Sequence, residues 1–129
     1  NHLESQNFTC SWIDGDNLRQ MANNFDYSEK GRRQNIETAQ SIAKVSDKIN
    51  NYVVVSLVSP FKDLRENLKS DPSIITKEIY LHSSRLREGK MVDYYEPPTE
   101  KCLTIDTDKC SIPESIVITQ VDLFRMCQV

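Results

Sequence analysis

Two carboxylates stand two residues apart in the run Trp12-Ile13-Asp14-Gly15-Asp16-Asn17-Leu18-Arg19. Such a pair can hold a hydrated Mg²⁺ or take a proton from a hydroxyl. Asp-Gly-Asp is also an ordinary Asx-Gly turn, so the triplet alone leaves both readings open. Basic residues gather around it along the chain: Arg19, Arg32, Arg33, Lys62 and Arg65. Guanidinium groups that converge on one pocket suit phosphate or sulfate, which they bind through a forked pair of donors. Arg33 is read instead as part of a solvated helix face. Tyr27 lies between the carboxylate run and the helical segment that follows. It can stack on a base or plug the edge of the core.

Strands alternating with helices must position these groups. Phe8–Ile13 is a β-prone run that stops at the Asp14-Gly15-Asp16 turn signal. From Lys30 to about Asn50, Ile36, Ala39, Ala43, Val45 and Ile49, with Ile42 beside them, trace one stripe of an amphipathic helix. Tyr52–Val58 is nearly continuous and rich in β-branched residues, the pattern of a strand buried on both faces. It ends at Ser59-Pro60, after which Phe61–Lys69 reads as helix. Glu78–His82 and Lys101–Asp106 are two further strands. Ser111-Ile112-Pro113-Glu114 has the spacing of a capping box with Pro in the first turn, which predicts a C-terminal helix over Ser115–Met126. The cluster Ile116-Val117-Ile118 within it also suits a strand. Alternation of this kind implies an α/β fold with a parallel sheet, in which ligands bind beyond the carboxyl ends of the strands. Those ends carry Asp14 to Arg19, Ser59 to Arg65, and the segments after His82 and Asp106.

The chain has 129 residues, one domain's worth, with 38% hydrophobic and 27% charged residues. A net charge of −3 argues against general nucleic-acid binding, and no apolar stretch approaches a membrane span. With 4 cysteines, none in a C-x-x-C pair, and 2 histidines remote from them, a structural zinc site is not expected. Without a signal peptide the cysteines are read as free thiols in a reducing cytoplasm. The chain opens on Asn1 rather than Met, and is expected to begin inside a longer protein.

Taken together, these blocks resemble the adenylylsulfate kinase family, P-loop kinases of sulfate assimilation. The resemblance rests on Trp12 to Arg19; on Tyr27-Ser28 with Gly31-Arg32-Arg33-Gln34-Asn35-Ile36, against a family pattern F-S-x-x-D-R-x-E-N-I; and on Val55 to Lys62 with Arg65, against S-F-I-S-P-Y-R-x-D-R. It continues through Arg87-Glu88-Gly89-Lys90, Tyr95-Glu96-Pro97-Pro98 and Asp106-Thr107. The blocks keep the family order, and their combination is more specific than any one of them.

The resemblance implies a P-loop nucleotide-kinase-like, three-layer α/β fold over residues 1–129, acting on a small nucleotide. The implied reaction is ATP-dependent phosphorylation of the 3′-hydroxyl of adenylyl sulfate, giving 3′-phosphoadenylyl sulfate. By position, Asp16 would lie near the acceptor hydroxyl and Mg²⁺, with Asp14 supporting it. Arg19, Arg32 and Asn35 would orient the phosphosulfate, and Tyr27 would stack on the acceptor adenine. Ser59, Pro60, Phe61 and Lys62 would complete the acceptor site, and Thr107 falls on the ATP side. The family also leaves room for a homodimer.

Departures from the family are of two kinds. The G-x-x-G-x-G-K-[ST] loop and part of the lid have no counterpart in this sequence. They are expected to belong to segments of the longer protein, the alternative being a truncated, inactive homologue. The acceptor blocks also differ: Glu37-Thr38 replaces Arg-Arg, Lys62 replaces Arg, and Leu64 replaces an acidic residue. These changes leave room for another anionic nucleotide, such as cytidine diphosphoramidate, or for nucleotide binding without catalysis.

Overall fold

The computed structural model describes residues 2–85, 92 and 94–127. The Arg87-Glu88-Gly89-Lys90 block lies outside them. Two compact units divide the chain, Asn1–Ile75 and Thr76–Val129.

In the first unit β1 (Cys10–Asp14) and β2 (Tyr52–Ser56) pair in parallel, with Trp12 opposite Val54 and Asp14 opposite Ser56. Because the register ends on that last pair, the chain leaves both strands at the same edge. α1 (Gly15–Met21) follows β1 directly. The sequence predicts only a turn here. The Asp14 side chain accepts the Asp16 and Asn17 amides at 3.2 and 3.0 Å, and the Asx chemistry that would close a turn instead caps a helix.

α2 (Glu29–Ser46) begins at Ser28, whose hydroxyl accepts the Gly31 amide at 3.3 Å. Its buried residues are Gly31, Asn35, Ile36, Ala39 and Ala43, one face of a helix. Of the expected stripe, Ile36, Ala39 and Ala43 enter the core, while Val45 and Ile49 stay exposed. The core has two clusters: Ile13, Leu18, Ala39 and Ala43 in one, and Ile36, Phe61 and Leu64 in the other. Leu57 packs against both. α3 (Lys62–Lys69) supplies Leu64 and a buried Arg65.

The expectation that the second strand is buried on both faces is not met, for Val54 and Val55 are 44% and 36% exposed. Among the described residues this sheet has two strands, so β2 has one strand neighbour there, and α2 packs against it. Trp12 projects from β1, 67% exposed, and its indole N–H donates to Ser56 Oγ at 2.8 Å.

The second unit repeats the parallel motif. β3 (Glu78–His82) pairs with β4 (Cys102–Asp106), His82 opposite Asp106. α4 (Ile112–Cys127) settles the helix-or-strand ambiguity around Val117 in favour of helix. The predicted capping box forms: the Ser111 amide and hydroxyl donate to Glu114 Oε2 at 2.8 and 2.7 Å. Ile105 is buried, and Lys77 pairs with Asp122 at 2.7 Å. Cys10, Cys102 and Cys110 are free thiols. No helix among the described residues is long and apolar enough to cross a membrane.

Ala39 has no exposed surface where α2 meets the first core cluster. Ala39→Leu should therefore overpack this contact and cost about 1–3 kcal/mol, read as a lower urea midpoint with an unchanged m-value.

Candidate functional site

Three groups of side chains are built on the loops and helix starts of the first unit. The first is the corner at the start of α1. Asp14 is occupied as the helix cap, which fixes the backbone that presents Asp16. Asp16 is exposed, and its carboxylate meets no hydrogen-bond or ion-pair partner among the described residues. Behind this corner lies Asn35, 6% exposed, whose Nδ2 donates to the Gly15 carbonyl at 3.4 Å. Its Oδ1 is buried and meets no donor, an acceptor that water or a ligand N–H or O–H would satisfy. A Cβ at Gly15 would come within 2.8 Å of Leu57 Cδ2, which places the corner against the chain leaving β2.

The second group surrounds Tyr27, 55% exposed. Arg19 is 6% exposed, and its guanidinium carbon lies 4.4 Å from the Tyr27 ring centroid. Its Nη1 donates to the Asp26 and Asn24 carbonyls at 2.9 and 3.1 Å. Arg32 donates from Nε to the Tyr27 carbonyl at 3.0 Å, with its guanidinium carbon 5.4 Å from the same ring. Both arginines therefore touch the aromatic residue at cation–π range. Arg19 is turned into the loop. Ser28 bonds, side chain first and then amide, hold the Asp26 carboxyl below its ordinary pKa.

The third group is the turn after β2. Ser59 adopts φ 42°, a left-handed conformation uncommon for a residue with a side chain. Pro60 beside it is fully buried, and Phe61 packs in the second core cluster. Arg65, 8% exposed, donates from Nη1 to the Ser59 carbonyl at 2.7 Å and so braces the turn. Lys62 is half-buried at the start of α3. Arg33, read from the sequence as a solvated residue, is an anchor instead. It bonds Asp63 at 2.8 Å and Glu29 at 3.0 Å, and its guanidinium covers the Phe61 ring at 4.2 Å. The i,i+4 spacing of Glu29 and Arg33 was a legible signal for half of this network.

Thr107 follows β4 in the second unit. Its hydroxyl donates to the His82 carbonyl at 3.0 Å and accepts from Arg85 Nη2 at 3.0 Å. Arg85 also reaches Asp108 Oδ1 at 3.1 Å, and Ser83 Oγ donates to the same oxygen at 2.6 Å. Asp108 is thereby held well below the usual carboxylate range, the Ser83 hydrogen bond being the main cause. Tyr80 stacks between His82 and Tyr95, with centroids 5.6 and 5.8 Å away.

The described residues contain no cluster of three His, Cys, Asp or Glu side chains able to hold a metal by themselves. A lone exposed carboxylate such as Asp16 fits Mg²⁺, which keeps several waters and takes one or two carboxylates together with substrate phosphates.

The family model described as adenylylsulphate kinase matches residues 1–88. The chain belongs to that family. Its members are kinases, and the match takes in all three groups of the first unit. The adenylyl-sulfate kinase of Bacteroides thetaiotaomicron is 25% identical over 139 residues, covering 88% of this chain and 68% of the relative. A probable adenylyl-sulfate kinase of Halalkalibacterium halodurans is 26% identical over 128 residues, covering 81% and 62%. The chain thus spans about two thirds of the length of these relatives. Among solved structures, the APS kinase CysC of Mycobacterium tuberculosis, in complex with AMPPNP and APS, superposes with a TM-score of 0.77. It covers 96% of this chain and 84% of its own at 18% identity. That likeness establishes the α/β P-loop-kinase fold expected from the sequence.

The Arg33 anchor makes a pH prediction. The Arg33 hydrogen bond lowers the Asp63 pKa, so the pair contributes stability above the unfolded carboxylate pKa of about 3.9 and loses it as pH falls through the lower folded value. The stability gap between the wild type and Asp63→Asn should be full at pH 7 and close on acidification. Urea midpoints measured from pH 7 to pH 3 check this, and a gap that widened in acid would contradict it.

Proposed function

We propose that this chain carries the acceptor side of an ATP-dependent kinase that phosphorylates the 3′-hydroxyl of adenylyl sulfate. The observation that carries the reading is the exposed Asp16 carboxylate, which meets no partner among the described residues, at a corner whose backbone Asp14 and Asn35 hold. A carboxylate so placed can accept the proton of an incoming hydroxyl or hold a water-clad Mg²⁺. Asp14 acts through the backbone, since capping α1 fixes where Asp16 points. Asn35 offers its buried Oδ1 to a donor on the nucleotide.

Tyr27 presents an exposed aromatic ring for the acceptor base. Arg19 acts from behind that ring, through the loop it binds. The terminal nitrogens of Arg32, which meet no partner among the described residues, are available to the anionic group. At the second turn the Ser59 hydroxyl and the Lys62 ammonium are the groups for ligand contact, while buried Pro60 and Phe61 hold the turn in shape. Thr107, in the turn beyond β4, is assigned to ATP by the resemblance. ATP would supply the phosphoryl group, and Mg²⁺ held at Asp16 would supply neutralisation of its charge. The chain's own part is positioning, which can supply most of the barrier reduction in phosphoryl transfer. Free thiols and ATP dependence are consistent with a cytoplasmic enzyme.

The test is coupled ADP release by the full-length protein. Adenylyl sulfate should give saturable turnover, and Asp16→Ala should lower kcat by about 100-fold or more. Faster turnover with cytidine diphosphoramidate would reassign the acceptor. Nucleotide binding by calorimetry with background ADP release would reduce the protein to a binding module.

A further inference from the structure

Gly31 is out of place by helix chemistry. It occupies the third position of α2, where a capping box would put Glu or Gln and where glycine weakens a helix. It is buried, and the reason is contact with the preceding loop. A Cβ built at this position would lie 2.2 Å from the Asp26 carbonyl oxygen and 2.5 Å from Asp26 Cγ. The first of these is a backbone atom, so the overlap cannot be relieved by turning a side chain.

The same carbonyl oxygen is the one Arg19 Nη1 binds at 2.9 Å. The loop is further closed by Asn24, whose Nδ2 donates to the Gly31 carbonyl at 3.1 Å and whose Oδ1 accepts the Asp26 amide at 3.2 Å. In this chain a side chain at position 31, where the family pattern has Asp, would displace the Asp26 carbonyl that Arg19 binds. Arg19 then loses the shorter of the two carbonyl contacts that hold it beside Tyr27, which loosens the backing of the ring.

We propose that Gly31 is a positioning residue for Tyr27: its missing side chain lets the loop over residues 24–28 close onto α2, and this closure sets the ring on the Arg19 guanidinium for an aromatic acceptor base. Gly31 touches no ligand and acts through the Asp26 carbonyl and Arg19. The kinetic part of this inference rests on the reading of Tyr27 as the surface on which the acceptor base stacks. The structural part does not.

The experiment compares wild type, Gly31→Ala, Tyr27→Ala and the double variant in the full-length protein. Amide hydrogen exchange reads the loop, and acceptor kinetics read the consequence. Gly31→Ala should lose protection at residues 24–31 while the second half of α2 and β1 keep theirs. It should also raise the acceptor KM by roughly tenfold with kcat within about twofold, the sign of lost binding rather than lost chemistry. The double variant should be no worse than Tyr27→Ala, because both act through one ring. Should Gly31→Ala lose protection throughout the unit, Asn24→Ala replaces it. That variant removes the loop's bond to the Gly31 carbonyl and should show the same local loss and the same KM rise. Retained loop protection, or additive KM effects in the double variant, would overturn the proposal. Absent acceptor turnover in the wild type would overturn the proposed function instead, and the exchange comparison would still decide the role of Gly31.

Discussion

Two guanidinium groups are carried into the interior of the first unit, and the need to meet their donors shapes the loops around the site. A buried arginine cannot shed its charge, so oxygens must come to it. Arg19 draws in the Asn24 and Asp26 carbonyls. Arg65 draws in the Ser59 carbonyl. Neither loop has a strand or helix ladder to hold it. In both, a cation supplies from the side chain what backbone pairing supplies elsewhere. The price is that these residues serve the fold first, which changes how arginine-rich stretches of this kind should be read.

Much of the frame was legible because local rules and the fold agree. Glu78–His82 forms a strand with the bounds its pattern predicts. The Ser111–Glu114 box caps a helix as its spacing requires. The parallel pairing needed for strands alternating with helices is present in both units. What was not legible depends on partners distant in sequence. Val54 and Val55 are exposed because β2 has one strand neighbour among the described residues, and a β-branched run does not say how many neighbours it has. The helix at Gly15–Met21 is short enough that its cap looks like a turn.

The site shows the same division. Asp14 and Asp16 could be singled out by type and spacing, and only the structure shows that Asp14 is taken up by the helix cap while Asp16 is exposed. Arg33 looked like a solvent-facing residue because its second partner, Asp63, is 30 positions away in sequence. Arg19 looked like an anion ligand because residue type says nothing about which way a guanidinium turns. Gly31 did carry a signal, a glycine inside the first turn of a strongly patterned helix, but the meaning of that signal lies in Asp26. α2 ties these pieces together, since Arg32, Arg33 and Asn35 face three different neighbours from one rigid rod.

The indole of Trp12 bonds the hydroxyl of Ser56, the residue paired with Asp14 at the last rung of the sheet. This is the sole tryptophan of the chain, and it is solvent-exposed. This chain thereby carries a fluorophore one step from the Asp14–Asp16 corner. In this 129-residue chain, emission on excitation near the red edge comes from that single ring, so its wavelength and quenching report changes around Ser56 and Asp14 without any label being introduced.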